Sequence, residues 1–242
     1  MKSSIPSHLS SHNAQGITAF TRDQRDPLAQ FEIGPSKNFV YLILDWTKKK
    51  AAIVDPQKDL TAPLEALKNN GFELEGILLT HTHFDHIAGV PELSQKFPAL
   101  PIYVHPADAH RLSLDRNKPR EGKTQIHPLS HGQTIQIGNV RVQVLHTPGH
   151  SPGECCYWIE GPPSYLLTGD TIFIRDCGRT DLEGGSNPEM FQSIQLIKTL
   201  PAHTIILPGH HYQKECASTL ETEMRESPPF QCKSVAELSA LP

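Results

Sequence analysis

Short apolar runs separated by polar turns recur along the chain, alternating between lengths that suit strands and spacings that suit helices. Residues 1–30 are polar and irregular, which predicts a loosely held arm. The pattern tightens at Asn38-Phe39-Val40-Tyr41-Leu42-Ile43-Leu44 and Ala51-Ala52-Ile53-Val54, β-branched runs flanking Thr47-Lys48-Lys49-Lys50, and so predicts a hairpin. Leu60, Leu64 and Leu67 then recur at helical spacing, with Asp59 placed to cap the start and Asn70-Gly71 to end the helix. A strand at Ile77-Leu78-Leu79, a helix over 91–96, a strand over 101–104 and a helical turn over 107–112 follow. Residues 113–130, rich in proline and charge, read as a loop.

In the second half, polar and apolar residues alternate in 134–137 and 140–145 about the turn Gly138-Asn139, and further strands are predicted over 155–159 and 165–167. This is the pattern of an antiparallel meander. A helix over 188–200, with Met190, Phe191, Ile194 and Ile197 on one side, a strand over 203–207 and a helix over 214–225 complete the chain. The sum predicts an α/β (α+β) fold in one domain over 31–242: two sheets face to face with helices outside.

Composition narrows the class of function. The 242 residues are 37% hydrophobic and 20% charged, and no apolar run approaches the roughly 18 residues of a membrane span. A formal charge of -4 gives no excess that would attract nucleic acid. The first residues lack the apolar stretch of a secretory signal, which makes a cytoplasmic setting the expectation. Five cysteines without C-x-x-C spacing read as reduced thiols. The 14 histidines change the picture, because imidazole is the commonest metal ligand.

Several predicted strand ends deliver a histidine or aspartate: His81, His83, Asp85 and His86; His146 and His150; Asp170; Asp176; and His210 with His211. A strand end fixes the backbone while leaving the side chain accessible. His81-Thr82-His83-Phe84-Asp85-His86 packs four metal-ligand types into one loop, a density that argues for a metal rather than a solvated turn. His150 is the ionisable group of the tight turn Thr147-Pro148-Gly149-His150, and Leu207-Pro208-Gly209-His210 repeats that logic. His211 is the weaker candidate of its pair, since adjacent side chains rarely face one point. Asp170 ends an apolar strand, where an unpaired carboxylate costs several kcal/mol, so a bridging position on cations is its natural role. Asp55 suits an acceptor that orients a ligand imidazole; a turn carboxylate before Pro56 is the plain alternative. Cys177 reads as structural. His105, His110, His127 and His131 read as solvated surface, with a place at the substrate entrance as the alternative.

With THTHFDH, TPGH, TGD and PGH in this order, the chain resembles the metallo-β-lactamase fold hydrolases from about Gly34 to Tyr212. The resemblance implies a four-layer αββα sandwich and two metal positions. One would use His81, His83, His150 and Asp170; the other Asp85, His86, Asp170 and His210. Asp85 and Asp170 would then carry the catalytic roles, and Asp170 stands where the best-known β-lactamases have cysteine. The run from Thr168 to Asp181 resembles both the hydroxyacylglutathione hydrolases of glyoxalase II type and the persulfide dioxygenases. The first implies hydrolysis of a small-molecule thioester such as a glutathione conjugate over two divalent ions, whether zinc, iron or manganese. The second implies one Fe(II) held by His81, His150 and Asp170 that oxidises glutathione persulfide with oxygen. Gly34-Pro35-Ser36-Lys37-Asn38 looks more like the hydrolases, and Ile174-Arg175-Asp176-Cys177-Gly178-Arg179 more like the dioxygenases. Glyoxalase II proteins continue into a helical domain that grips glutathione, whereas 30 residues follow Tyr212 here. Tyr212 matches the tyrosine that contacts glutathione in these relatives, with a packed aromatic as the alternative. Arg179 is expected to pair with Asp181 and brace the metal loop, with contact to a substrate carboxylate as the alternative. A hydrolase is the first expectation, a dioxygenase the second and a metal-binding protein without turnover the third.

Overall fold

The computed structural model describes residues 26–112 and 125–241. Its first sheet has the strand order β1-β2-β3-β4-β5-β6, formed by Leu28–Ile33, Asn38–Asp45, Lys50–Val54, Glu73–Leu78, Ile102–Val104 and Ile126–Pro128. β1 to β3 are antiparallel neighbours, and β3 to β6 run parallel. The second sheet has the order β14-β13-β10-β9-β8-β7: Thr134–Ile137 (β7), Val140–His146 (β8), Cys155–Ile159 (β9), Tyr165–Gly169 (β10), Ile205–Pro208 (β13) and Ser218–Thr219 (β14). A small hairpin, Ile172–Phe173 (β11) with Asp176–Cys177 (β12), follows β10.

Apolar side chains separate the layers. Phe39, Tyr41, Ile43 and Val54 from the first sheet meet Val142, Val144, Tyr157, Leu167 and Leu207 from the second in a dry seam. Alternate residues of the same strands, among them Val40, Leu42, Ile53 and Ile77, face outward beneath α1 (Thr61–Asn69) and α3 (Val90–Lys96), with the single turn α2 (Phe84–Ile87) between those helices in sequence. Both faces of β2 are therefore buried, which explains its uninterrupted apolar run. On the far side, Leu166 and Ile206 lie under Met190, Ile194 and Ile197 of α4 (Asn187–Ile197). The layers run helix, sheet, sheet, helix, as expected. α4 starts at Ser186, whose hydroxyl accepts the Glu189 N–H. α1 ends where Gly71 adopts φ +69°, and Asp59 accepts the Thr61 N–H at its start.

Four expectations shift. Leu28 to Gln30 are the buried first half of β1 rather than part of an arm, and residues 1–25 of that expected arm lie outside the described residues. Gln30 hides the strand in the sequence. Its amide is fully buried and donates to the Tyr41 hydroxyl and the Cys216 carbonyl, each at 3.0 Å. Within the expected loop over 113–130, Ile126–Pro128 forms the edge strand β6, while 113–124 lie outside the described residues. The turn over 107–112 is a short 3-10 segment, Ala109–Arg111. The last long helix starts later than expected: Ser218 and Thr219 pair with β13, then Thr219 caps α5 (Leu220–Glu226).

Candidate metal centre

Strand direction assembles the site. β3 and β4 run parallel, so Val54 hands on to Asp55 at the same edge where Leu78 hands on to Thr80 and His81. In the second sheet β8, β10 and β13 share one direction, because β9 is antiparallel to both β8 and β10 and β13 is parallel to β10. Their ends release His150, Asp170 and His210. The two sheets join here as well: Asn38 forms a bridge to His210, and the Phe39 N–H donates to the Gly209 carbonyl at 2.8 Å. Backbones approach so closely that Gly209 cannot carry a side chain, since a Cβ there would strike Asp170 Oδ1.

Besides Asp55, His81 and His86, whose ligand atoms also converge, two groups of three donors open on Asp170. Ligand atoms of His81, His83 and His150 lie within 4.8 Å of one another, as do those of Asp85, His86 and His210. The Asp170 carboxylate stands between them: Oδ2 is 3.5 Å from His150 Nε2 and 3.4 Å from His210 Nε2, and Oδ1 is 3.4 Å from His86 Nε2. His83 Nδ1 and His150 Nε2 are 2.9 Å apart, and the Nε2 atoms of His86 and His210 are 3.1 Å apart. Facing lone pairs at such distances call for a shared proton or a shared cation. His81 Nε2 and Asp170 Oδ1 are buried with no hydrogen-bond partner among the described residues. Orphaned buried acceptors of this kind each cost about 1–3 kcal/mol, and a cation would satisfy both. The donor set, imidazole and carboxylate without thiolate, fits zinc, iron or manganese.

The outer nitrogens are held by the protein. His150 Nδ1 lies 2.8 Å from the Arg179 carbonyl, His210 Nδ1 2.8 Å from the Ser36 carbonyl, and His86 Nδ1 3.0 Å from Asp55 Oδ2. His81 Nδ1 lies 3.0 Å from Thr80 Oγ1 and 3.4 Å from Glu154 Oε2. Each acceptor draws the ring proton outward and leaves the Nε2 lone pair facing inward, the tautomer a metal ligand needs. Asp55 also accepts the Thr80 N–H at 2.8 Å and its hydroxyl at 2.6 Å, so one carboxylate steadies His86 directly and His81 through Thr80.

Charge follows the same plan. Burial pushes His81 well below the usual imidazole range, with the neighbouring His86 adding to the effect; burial and His150 lower His83. His86 goes the other way: burial opposes its charge, but Asp170, Asp55 and Asp85 together lift it to about 9. Asp170 is driven down, because His86, His210 and His81 outweigh the burial that opposes its charge. His81 and His83 are thus held neutral, with lone pairs available to a cation, while Asp170 stays ionised.

Every residue assigned to the two metal positions, His81, His83, Asp85, His86, His150, Asp170 and His210, reaches this cluster. Tyr212 is 56% exposed and stacks on the His210 ring at 4.7 Å and 9°. The Arg179 guanidinium pairs with both Asp181 oxygens, at 2.6 and 2.7 Å, as expected. That pair is exposed, and it is the Arg179 carbonyl that touches a cluster ring. His211 turns away to Glu32 Oε2, 2.7 Å distant. His146 stacks on His105 at 4.0 Å, and Asp176 accepts the Cys177 N–H at 2.8 Å, so neither joins the cluster. Burial raises all five thiols, Cys156 and Cys177 to about 12, in keeping with structural roles.

Glu154, Asn38 and Thr80 are functional candidates that the sequence pattern does not single out. Glu154 is fully buried, accepts the Asp170 N–H at 3.0 Å and is raised well above the carboxylate range by burial and by the Asp170 charge. Its one sequence signal is a carboxylate directly before the buried run Cys155-Cys156-Tyr157. Asn38 donates to Asp85 Oδ2 at 3.1 Å.

The model of the metallo-beta-lactamase superfamily matches residues 33–210. The chain belongs to this superfamily. A hydroxyacylglutathione hydrolase from Enterobacter sp. is 39% identical over 176 residues, covering 72% of this chain and 62% of that one. A probable polyketide biosynthesis zinc-dependent hydrolase, BaeB of Bacillus velezensis, is 31% identical over 195 residues, covering 80% and 82%. Among solved structures, ETHE1 from Myxococcus xanthus superposes with a TM-score of 0.73 at 26% identity, covering 89% of this chain and 92% of that one. The resemblance read from the four motifs, the sandwich it implied and the superfamily's use of divalent metals are borne out.

Proposed function

We propose that this superfamily member is a metal-dependent hydrolase that cleaves a small-molecule thioester such as a hydroxyacylglutathione. The observation that carries the reading is the Asp170 carboxylate within 3.5 Å of ring nitrogens from both donor groups, the arrangement that two cations sharing one ligand require. His81, His83 and His150 would hold one cation, Asp85, His86 and His210 the other, with Asp170 common to both. Divalent ions held there would supply Lewis acidity, lowering the pKa of a bound water and polarising an acyl carbonyl. The carbonyl carbon gains a bond to the water oxygen and loses its bond to sulfur, which departs as a thiolate needing little protonation. Asp85, the partly exposed carboxylate of the cluster, is placed to accept the proton released. The thiols, all raised, offer no competing nucleophile. Tyr212 and Arg179 are the candidate contacts for the thiol carrier, and a reducing cytoplasmic setting suits five free cysteines.

A second reading, an iron-dependent glutathione persulfide dioxygenase using His81, His150 and Asp170, is favoured by one observation. ETHE1 superposes on 89% of this chain with a TM-score of 0.73. One preparation distinguishes the two. Thiol release from S-lactoylglutathione with near two metal equivalents supports the hydrolase. One iron with oxygen uptake on glutathione persulfide overturns it, and inactivity on both under metal-replete conditions leaves metal binding alone.

A further inference from the structure

A cavity of about 650 Å³ opens beside the metal centre, lined by Ile33, Pro35, Gln57, Lys58, Asp59, Phe84, Asp85 and Ala88. Asp85 belongs to both, so the cavity begins where a reacting carbonyl would sit. Its walls are mostly carbon, with the exposed Lys58 and Asp59 as the charged groups besides Asp85. Gln57 donates through Nε2 to Asn38 Oδ1 at 3.3 Å and accepts the Lys58 N–H, while Asp85 Oδ2 receives the Asn38 amide and the Ser36 carbonyl holds His210. Phe84, set between His83 and Asp85, is 78% exposed, a large ring left in water at the mouth of a catalytic cluster. An alkyl chain is well suited, since pockets of this size and lining gain affinity from apolar contact.

Resting on the hydrolase reading, we infer that this cavity is the acyl subsite and that the preferred substrates are thioesters of straight-chain aliphatic acids, with the acyl chain lying against Phe84, Ile33 and Ala88. The thiol side of the substrate leaves toward Tyr212 and Phe173, which do not line the cavity. The subsite thus selects the acyl half independently of the carrier.

The test measures kcat/KM on acetyl, butyryl, hexanoyl and octanoyl thioesters of one carrier thiol, with the metal-loaded enzyme. The expected gain is about twofold to fourfold per methylene, the lower figure for a chain that keeps one side in water. Phe84→Ala and the cavity-filling Ala88→Trp should each flatten that slope. Calorimetric binding of acetate, butyrate, hexanoate and octanoate to the same preparation provides a readout without turnover. A flat kinetic series from an active enzyme overturns the subsite. If no thioester is cleaved, the hydrolase reading fails; affinity that still climbs with chain length and flattens in both variants sustains the alkyl pocket, and flat affinity overturns it too.

Discussion

Replacing Asp55 with asparagine should weaken the metal position of His86 more than that of His81, which Asp55 reaches only through Thr80. Asparagine has the same shape and tolerates the φ of +50° found here, so the substitution adds neither a void nor backbone strain. It removes acceptor capacity. Asp55 accepts from Thr80 N–H, Thr80 Oγ1–H and His86 Nδ1 at 2.8, 2.6 and 3.0 Å, and one amide oxygen cannot serve all three. With that oxygen kept by Thr80, the amide NH2 faces His86 Nδ1 and donates to it. The ring proton then moves to Nε2, the atom 3.4 Å from Asp170 Oδ1 and 3.1 Å from His210 Nε2, where a cation needs a lone pair. Losing such an orienting partner typically weakens metal binding tenfold to a hundredfold, about 1.4 to 2.7 kcal/mol. Competitive titration against a chromophoric chelator, with elemental analysis after dialysis, should show stoichiometry falling from two equivalents toward one. Thermal melting of the metal-free variant serves as the folding control. Two equivalents bound at the unaltered affinity would refute the tautomer argument.

Asp170→Ala should remove the shared carboxylate and reduce both metal content and thioester turnover, the latter by about 10³ or more, as scored by elemental analysis and thiol release. His86 makes the metal-free protein sensitive to pH. Its folded pKa, about 9, lies above the unfolded value of about 6.5, so its contribution is full below pH 6.5 and is lost as pH rises to 9. Melting temperature with chelator present should fall across that window, and a rise would contradict the charge assignment. Glu154→Gln preserves an acceptor for the Asp170 N–H and mimics the protonated acid that burial favours. It should melt within about 1 kcal/mol of the unaltered protein, whereas Glu154→Ala should cost about 1–3 kcal/mol for the orphaned donor in urea denaturation.

The cluster was legible because its ligands sit in four short motifs, each after an apolar strand that a period-two or continuous pattern reveals. The partners that aim those ligands were less so. Ser36 and Arg179 act through main-chain carbonyls, which every residue possesses, and Glu154 acts on the Asp170 amide at the end of the neighbouring strand, a pairing that its own position does not announce. Asp55 was readable because a carboxylate closes a buried strand. In the fold, the layers followed from hydrophobic runs, while β1 was obscured by the buried amide of Gln30 and β6 by an edge position with proline and a 37% exposed Ile126. The two-residue strand β14 is too short for any periodicity.

An anomalous difference map from crystals soaked in zinc puts the account to its sharpest trial. Two peaks are predicted, one among His81, His83 and His150 and one among Asp85, His86 and His210, with Asp170 touching both. A single peak, or density away from Asp170, would contradict a shared dinuclear centre.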